Sequence, residues 1–320
     1  MKRAFQSTAA LIRRACGPLA PIHHEVWELV LMRLAFAALL LSLLTPRPPP
    51  GDVLHPYGLA RVFDLAFLAQ PDTYQLCHRL AQICIVLYAL GVRTFWSLGG
   101  LFLFLMARAA LNNSQGFIGH AGLATGLAVL GHVAASGCSW LLVRPRWRDF
   151  LISDGAEMQL CVDWTRQAVV GAYIVAGITK LMETQGAWLA RAPLFLLQVC
   201  KVQGESWYGF GRSISAGSEA FLQTLIDHPW LAYIFLGSGL LLELFAFLAL
   251  LGRRLALVMG LCLLAFHQSL DWLMDLAFTA NQSLLIIFFI NPVWWIVQLA
   301  LLLFAAGRKP APPARPSAAA

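Results

Sequence analysis

The sequence predicts an all-α fold: a polytopic integral membrane helical bundle of about eight transmembrane helices, within a range of about seven to nine. Three observations predict it. Of 320 residues, 59% are hydrophobic and only 12% are charged, against roughly 25% charged in a soluble domain. Apolar runs recur along the chain with no long polar block between them, so one membrane domain is expected rather than a string of soluble ones. The Arg and Lys residues fall mostly in short gaps between those runs, the placement that the positive-inside rule describes.

Residues 1–26 place Lys2, Arg3, Arg13 and Arg14 around an interrupted apolar stretch. That pattern suits an amphipathic cytoplasmic segment at the interface better than a signal-peptide core. Residues 27–307 form the transmembrane domain. Its apolar runs are 27–44, 78–92, 94–111, 118–142, 167–182, 230–251, 255–277 and 282–306. The last contains Asn291-Pro292, where proline is expected to kink the helix or split it. Residues 308–320 are rich in Pro and Ala and are expected to be a disordered tail.

Charge orients the runs. Arg93, Arg144, Arg146, Arg148, Arg253, Arg254, Arg308, Lys309 and Arg315 share a side with the basic N-terminal segment when both termini are cytoplasmic. The net charge of +7 therefore belongs to topology, since no basic face with interleaved aromatics points to nucleic acid. The seven cysteines form no CxxC pair and no zinc spacing. If there is a disulfide, Cys77 with Cys200 is expected, because the topology puts both toward the outer face.

Ionisable groups inside apolar runs are costly, so they tend to be paired, to face a cavity, or to work. Lys180 interrupts one run, Glu243 a second and His267 a third. By depth, His120, Lys180 and His267 lie toward the outer face, with Asp271 and Asp275 further out. The three are expected to share one cavity open to the outer leaflet. Arg33, His132 and Glu243 lie deeper, and Arg33 with Glu243 is expected as a structural ion pair. Each residue also has a plain reading. Lys180 can snorkel to the headgroups, His267 can bond a neighbouring helix, and His120 can be an incidental interfacial residue. Gly119, Gly122, Gly126 and Gly131 let helices pack closely or leave room for a flat ligand, close packing being favoured. His23, His24 and Glu25 are adjacent, but neighbours on a helix point apart, so no metal site is expected. No HExxH, P-loop or dinucleotide fingerprint occurs, which counts against a protease, an ATPase or a nicotinamide enzyme.

The order of motifs resembles a known family. Leu-Met-Arg-Leu-Ala-Phe at 31–36 is followed by Leu-Asn-Asn at 111–113. Then come Tyr-Ile-Val-Ala-Gly-Ile-Thr-Lys-Leu at 173–181, Trp188, Leu-Leu-Leu-Glu-Leu at 240–244, Phe266-His267 and Asn291-Pro292. This looks like the HTTM domain, the membrane domain of vitamin K-dependent gamma-glutamyl carboxylases, over about residues 33–292. The resemblance implies that Lys180 is the base that deprotonates a vitamin K-like reduced quinone. In that family the oxygenated quinone then becomes the strong base for glutamate carboxylation. Ser114 stands where the animal carboxylases carry an assisting histidine, and their large β-rich propeptide-binding region has no counterpart here. The compact form implies a bacterial inner membrane.

The expected function is a carboxylase-like membrane enzyme. Lys180 acts as base, with His120 or His267 assisting, on a lipid-soluble quinol at the outer face. Membrane lipid and a secreted peptide or small molecule are the expected partners, and no nucleic acid is. The alternative is a non-enzymatic lipid- or quinone-binding or accessory protein sharing only the scaffold. A transporter ranks lower, since the sequence shows no inverted repeat. A cavity lined by Lys180, His120 and His267 together separates the first two readings.

Overall fold

The computed structural model describes residues 22–46, 59–114, 122–143, 152–211, 216–274 and 276–307. The basic N-terminal segment, the C-terminal tail, His120, Gly119, Asp275 and the arginines at 144, 146 and 148 lie outside the described residues. Among those described, the chain is helical throughout, and the extended backbone pairs only at an isolated bridge between Val92 and Ile152.

Helix α1 spans Val26–Leu43, α2 Pro71–Ala89, α3 Thr94–Asn113, α4 Leu123–Val143 and α5 Gly155–Glu183. Then come α6 (Leu194–Phe210), α7 (Ala216–Asp227), α8 (Trp230–Leu244), α9 (Arg253–Met274), α10 (Thr279–Leu285) and α11 (Pro292–Gly307). Local signals fix several ends. Pro71 opens α2, where its missing N–H costs nothing. Asp154 accepts from the Glu157 amide at 2.8 Å and caps α5, satisfying one of that helix's orphan donors. Asn291 takes a left-handed φ of 45° after the π-turn Ile286–Ile290, and Pro292 then starts α11. The expected break at Asn291-Pro292 is therefore present.

Five segments are long and apolar enough to cross a membrane: Val26–Leu43, Thr94–Asn113, Leu123–Leu141, Arg253–Met274 and Thr279–Phe304. A sixth is reached if Glu219–Asp227 and Trp230–Leu244, bent by 104°, count as one. The other expected runs are helical too. However, α2 carries Asp72, His78 and Arg79, α5 carries Glu157, Asp163, Arg166 and Lys180, and α8 has only 15 residues.

The core joins α1 to α5 with α9, α10 and the π-turn, around Phe36, Tyr74, Ile85, Leu98, Leu101 and Phe288. A smaller cluster holds α6 and α7 against α9 through Phe195, Val199, Leu225 and Leu273. Helices α4 and α5 come closest at Gly131, where an added Cβ would lie 3.1 Å from the Thr165 backbone. Large apolar side chains also point outward from many helices, among them Leu103, Leu141, Val175, Leu197 and Leu303.

The expected Cys77–Cys200 disulfide is not formed; both thiols are free. Cys77 belongs to α2, which packs on α1 and α3, whereas Cys200 belongs to α6, which packs on α7 and α9. Different neighbours hold the two apart.

Candidate functional site

Tyr173, Gly177 and Lys180 recur at helical spacing and so share one face of α5. That face meets α8 and α9. Gly177 lies at the approach, where an added Cβ would stand 3.0 Å from Leu244 Cδ2 and 3.4 Å from Glu243 Cβ. The close contact brings Glu243 level with the last turns of α5. There the Lys180 ammonium donates to both Glu243 oxygens. Side-chain exposure is 29% for Lys180 and 9% for Glu243, so the pair is shielded on one side and reachable on the other. The Trp188 ring sits 5.5 Å from Lys180 Nζ.

Two turns earlier on α5, the Tyr173 hydroxyl lies 2.7 Å from Nε2 of His267 on α9. Both side chains are buried. The other ring nitrogen of His267, Nδ1, is buried without a hydrogen-bond partner. If Tyr173 donates to Nε2, the neutral ring carries its proton on Nδ1, leaving an unspent donor. Phe278 and Phe266 flank the ring, with centroids 4.9 and 6.1 Å away. Tyr173 and Lys180 lie two turns apart on one face of α5, so the two pairs stand on the same side of that helix, across three helices.

Lys180 pairs with Glu243 and His267 with Tyr173, while His120, the third residue of the expected cavity, lies outside the described residues. The expected Arg33–Glu243 pair is wrong. Both Glu243 oxygens face Lys180, and Arg33 instead donates from Nη1 to Met158 Sδ at 3.3 Å. The depth argument failed because α8 stops at Leu244 rather than running on to Leu251, so Glu243 lies in its last turn, at the Lys180 end of α5. His132 is a packed core group. Its Nδ1 lies 2.5 Å from Thr165 Oγ1, and its ring stacks on Phe36 at 4.8 Å.

A second polar centre had no sequence expectation. Glu28, fully buried, accepts from Arg253 Nη1 at 2.6 Å and from Asn291 Nδ2 at 2.8 Å. Arg253 also donates to the His23 carbonyl at 2.8 Å and lies over the Trp294 ring at 4.1 Å. Beside it, Gln159 Oε1 accepts from the His24 amide at 2.9 Å, and Gln159 Nε2 donates to the Ile22 carbonyl at 2.9 Å. Burial, with the nearby Arg253 charge, pushes the His24 pKa down to about 4. Arg253 was legible only as a loop cation; the isolated Glu28 in an apolar run was the available signal for its partner. Among the described residues no group of three or more His, Cys, Asp or Glu side chains is placed to hold a metal.

A cavity of about 730 Å³ lies away from the Lys180 cluster, between α1, α3, α4 and the start of α10. Neither Lys180 nor His267 lines it. The glycines of α4 change role along the helix: Gly131 is packed against α5, while Gly122 and Gly126 line this cavity.

No family model matches the chain, and no curated protein or solved structure matches it.

Proposed function

We propose that this is an HTTM-type protein of eight spans, both termini cytoplasmic, in a bacterial inner membrane, whose Lys180 cluster moves a proton on a lipid-soluble quinol. Support for the membrane reading comes from the five apolar helices and from the outward-facing Leu, Val and Ile side chains. Such a surface suits lipid rather than water. The three more polar helices then complete the eight: Glu157, Arg166 and Glu243 are buried and Asp72 lies in the first turn of α2, while Arg79 is exposed midway along α2.

The observation that carries the catalytic reading is the single cluster of Lys180–Glu243 and Tyr173–His267. One proton is held between an amine and a carboxylate. When it resides on Glu243, Lys180 Nζ has a free lone pair and is a base. The unpartnered Nδ1 of His267 and the flanking rings of Phe266 and Phe278 suit a flat molecule with a polar edge. A reduced quinone would supply the acidic hydroxyl. Lys180, with nearly a third of its side chain accessible, is the residue that reaches it. Carboxylase-like use of that chemistry on a secreted peptide or small molecule belongs to the same proposal.

A second reading rests on the same pair. Glu243 spends both oxygens on Lys180, as a purely structural ion pair does, and this favours a non-enzymatic lipid- or quinone-binding or accessory protein.

Binding of a reduced quinone to the full chain in nanodiscs tests the quinol, comparing wild type with Lys180→Ala and His267→Ala. Oxidation of the bound quinol under oxygen by wild type but not by Lys180→Ala separates the enzyme from a quinone-binding protein. Saturable binding weakened by both substitutions is expected. No saturable binding by folded wild type removes the quinol and leaves the scaffold reading.

A further inference from the structure

The cavity between α3 and α4 has polar groups at one end only. Leu101, Leu105, Leu127 and Leu130 line its apolar part. Arg108, Asn112 and Asn113 reach it from the last turns of α3, and Thr125 from the first turn of α4. Helix α3 runs roughly 16 Å from Leu101 to Asn112 at 1.5 Å per residue, so the cavity is long and its ends differ in chemistry.

Among the described residues, two of these polar groups lack partners. Arg108 is half-buried in a helix apolar enough to cross a membrane, and it makes no ion pair among the described residues. Thr125 is 4% exposed, and its hydroxyl is buried with no hydrogen-bond partner. A cation in an apolar helix marks a functional site by default, and a buried hydroxyl left unsatisfied is costly. Both groups line the same cavity.

We propose that this cavity binds one long-chain carboxylate, its head on Arg108 and Thr125 and its hydrocarbon chain between Leu101, Leu105, Leu127 and Leu130. An ionised carboxylate only accepts hydrogen bonds. It matches the fork of an arginine in two parallel bonds and leaves an oxygen for the Thr125 hydroxyl. A neutral head leaves the Arg108 charge unanswered. The volume lies within the ~300–1,000 Å³ of small-ligand sites, room for one chain rather than the two of a phospholipid. This site is separate from the Lys180 cluster and does not depend on the quinol reading.

The test is binding of radiolabelled palmitate to the full chain in nanodiscs of neutral phosphatidylcholine, with empty nanodiscs subtracted. Hexadecanol and phosphatidylglycerol are the competitors. Palmitate is expected to saturate and to bind at least about tenfold more tightly than hexadecanol, an effect of about 1.4 kcal/mol. Arg108→Gln should erase that preference, Arg108→Lys should keep part of it, and Thr125→Val should weaken palmitate alone. Gly122→Leu should reduce both ligands, because an added Cβ at Gly122 meets open space and the larger side chain fills the cavity mouth. Absence of saturation, equal affinity for palmitate and hexadecanol, or an unchanged preference in folded Arg108→Gln overturns the proposal. So does displacement of palmitate by phosphatidylglycerol at lower concentration than by palmitate itself. If Arg108→Gln does not fold, the wild-type preference and its response to Thr125→Val decide the matter.

Discussion

Glu243 gives both carboxylate oxygens to one partner, the ammonium of Lys180, across the contact of α5 with α8. Removing one member leaves the other in an apolar setting. Glu243→Gln is expected to lower stability by about 1–3 kcal/mol, less than a fully buried pair because Lys180 is partly solvated. The double variant Lys180→Met/Glu243→Leu should recover most of that loss. Thermal unfolding in one detergent, compared across the three proteins, measures it. A double variant as unstable as the single one would contradict the pairing.

Two glycines near the cluster should respond differently to alanine. At Gly177 the added methyl meets the tip of Leu244, a flexible end that can shift. The gain in helix propensity, about 1 kcal/mol, should leave Gly177→Ala near neutral. At Gly239 the methyl would run into the Phe266 ring. Gly239→Ala should cost about 1–3 kcal/mol through overpacking. Unfolding midpoints of the two variants are the readout.

The His24 contact should weaken in acid. Its folded pKa of about 4 lies below the ordinary 6.5, so between those values the unfolded chain binds a proton that the folded chain does not. Stability is then fully present above about pH 6.5 and falls as pH drops toward 4, by about 1–2 kcal/mol after allowing for solvent screening. Arg253, Glu28 and Arg166 act on the ring, and Gln159 bonds it. Unfolding at pH 7.5 and pH 5 should show a larger drop in wild type than in His24→Gln.

Glu28 should be the costliest polar group to orphan. Its side chain is fully buried, and Arg253 is its only ionic partner among the described residues. Arg253→Met should cost about 3–5 kcal/mol, whereas Arg253→Met with Glu28→Leu should cost far less. Yield and unfolding midpoint of the two proteins distinguish these outcomes.

The helices were legible because apolar runs and breakers are local signals: the run from Thr94 ends where α3 ends, near Asn113, and Asn291-Pro292 marks a real break. Pairings were less legible. Depth along each run suggested Arg33 for Glu243, but α8 meets α5 beside Gly177, and that contact places Glu243 on Lys180. Lys180 and His267 stood out as ionisable groups in apolar surroundings. Arg108 has the same character but lies near the end of the run of α3, where a cation is ordinary. Thr125 was invisible, since only the packing around it leaves its hydroxyl alone.

Helix α5 runs unbroken from Gly155 to Glu183, with Gln159 near one end and Lys180 near the other. At 1.5 Å per residue these are roughly 31 Å apart, about the thickness of the hydrocarbon layer. Gln159 ties the Ile22–His24 segment to this rod, and Lys180 ties α8 to it. A stiff rod cannot lean at one end alone. The Ile22–His24 segment and the Lys180 amine are therefore joined by the backbone of one helix rather than by a relay of side chains.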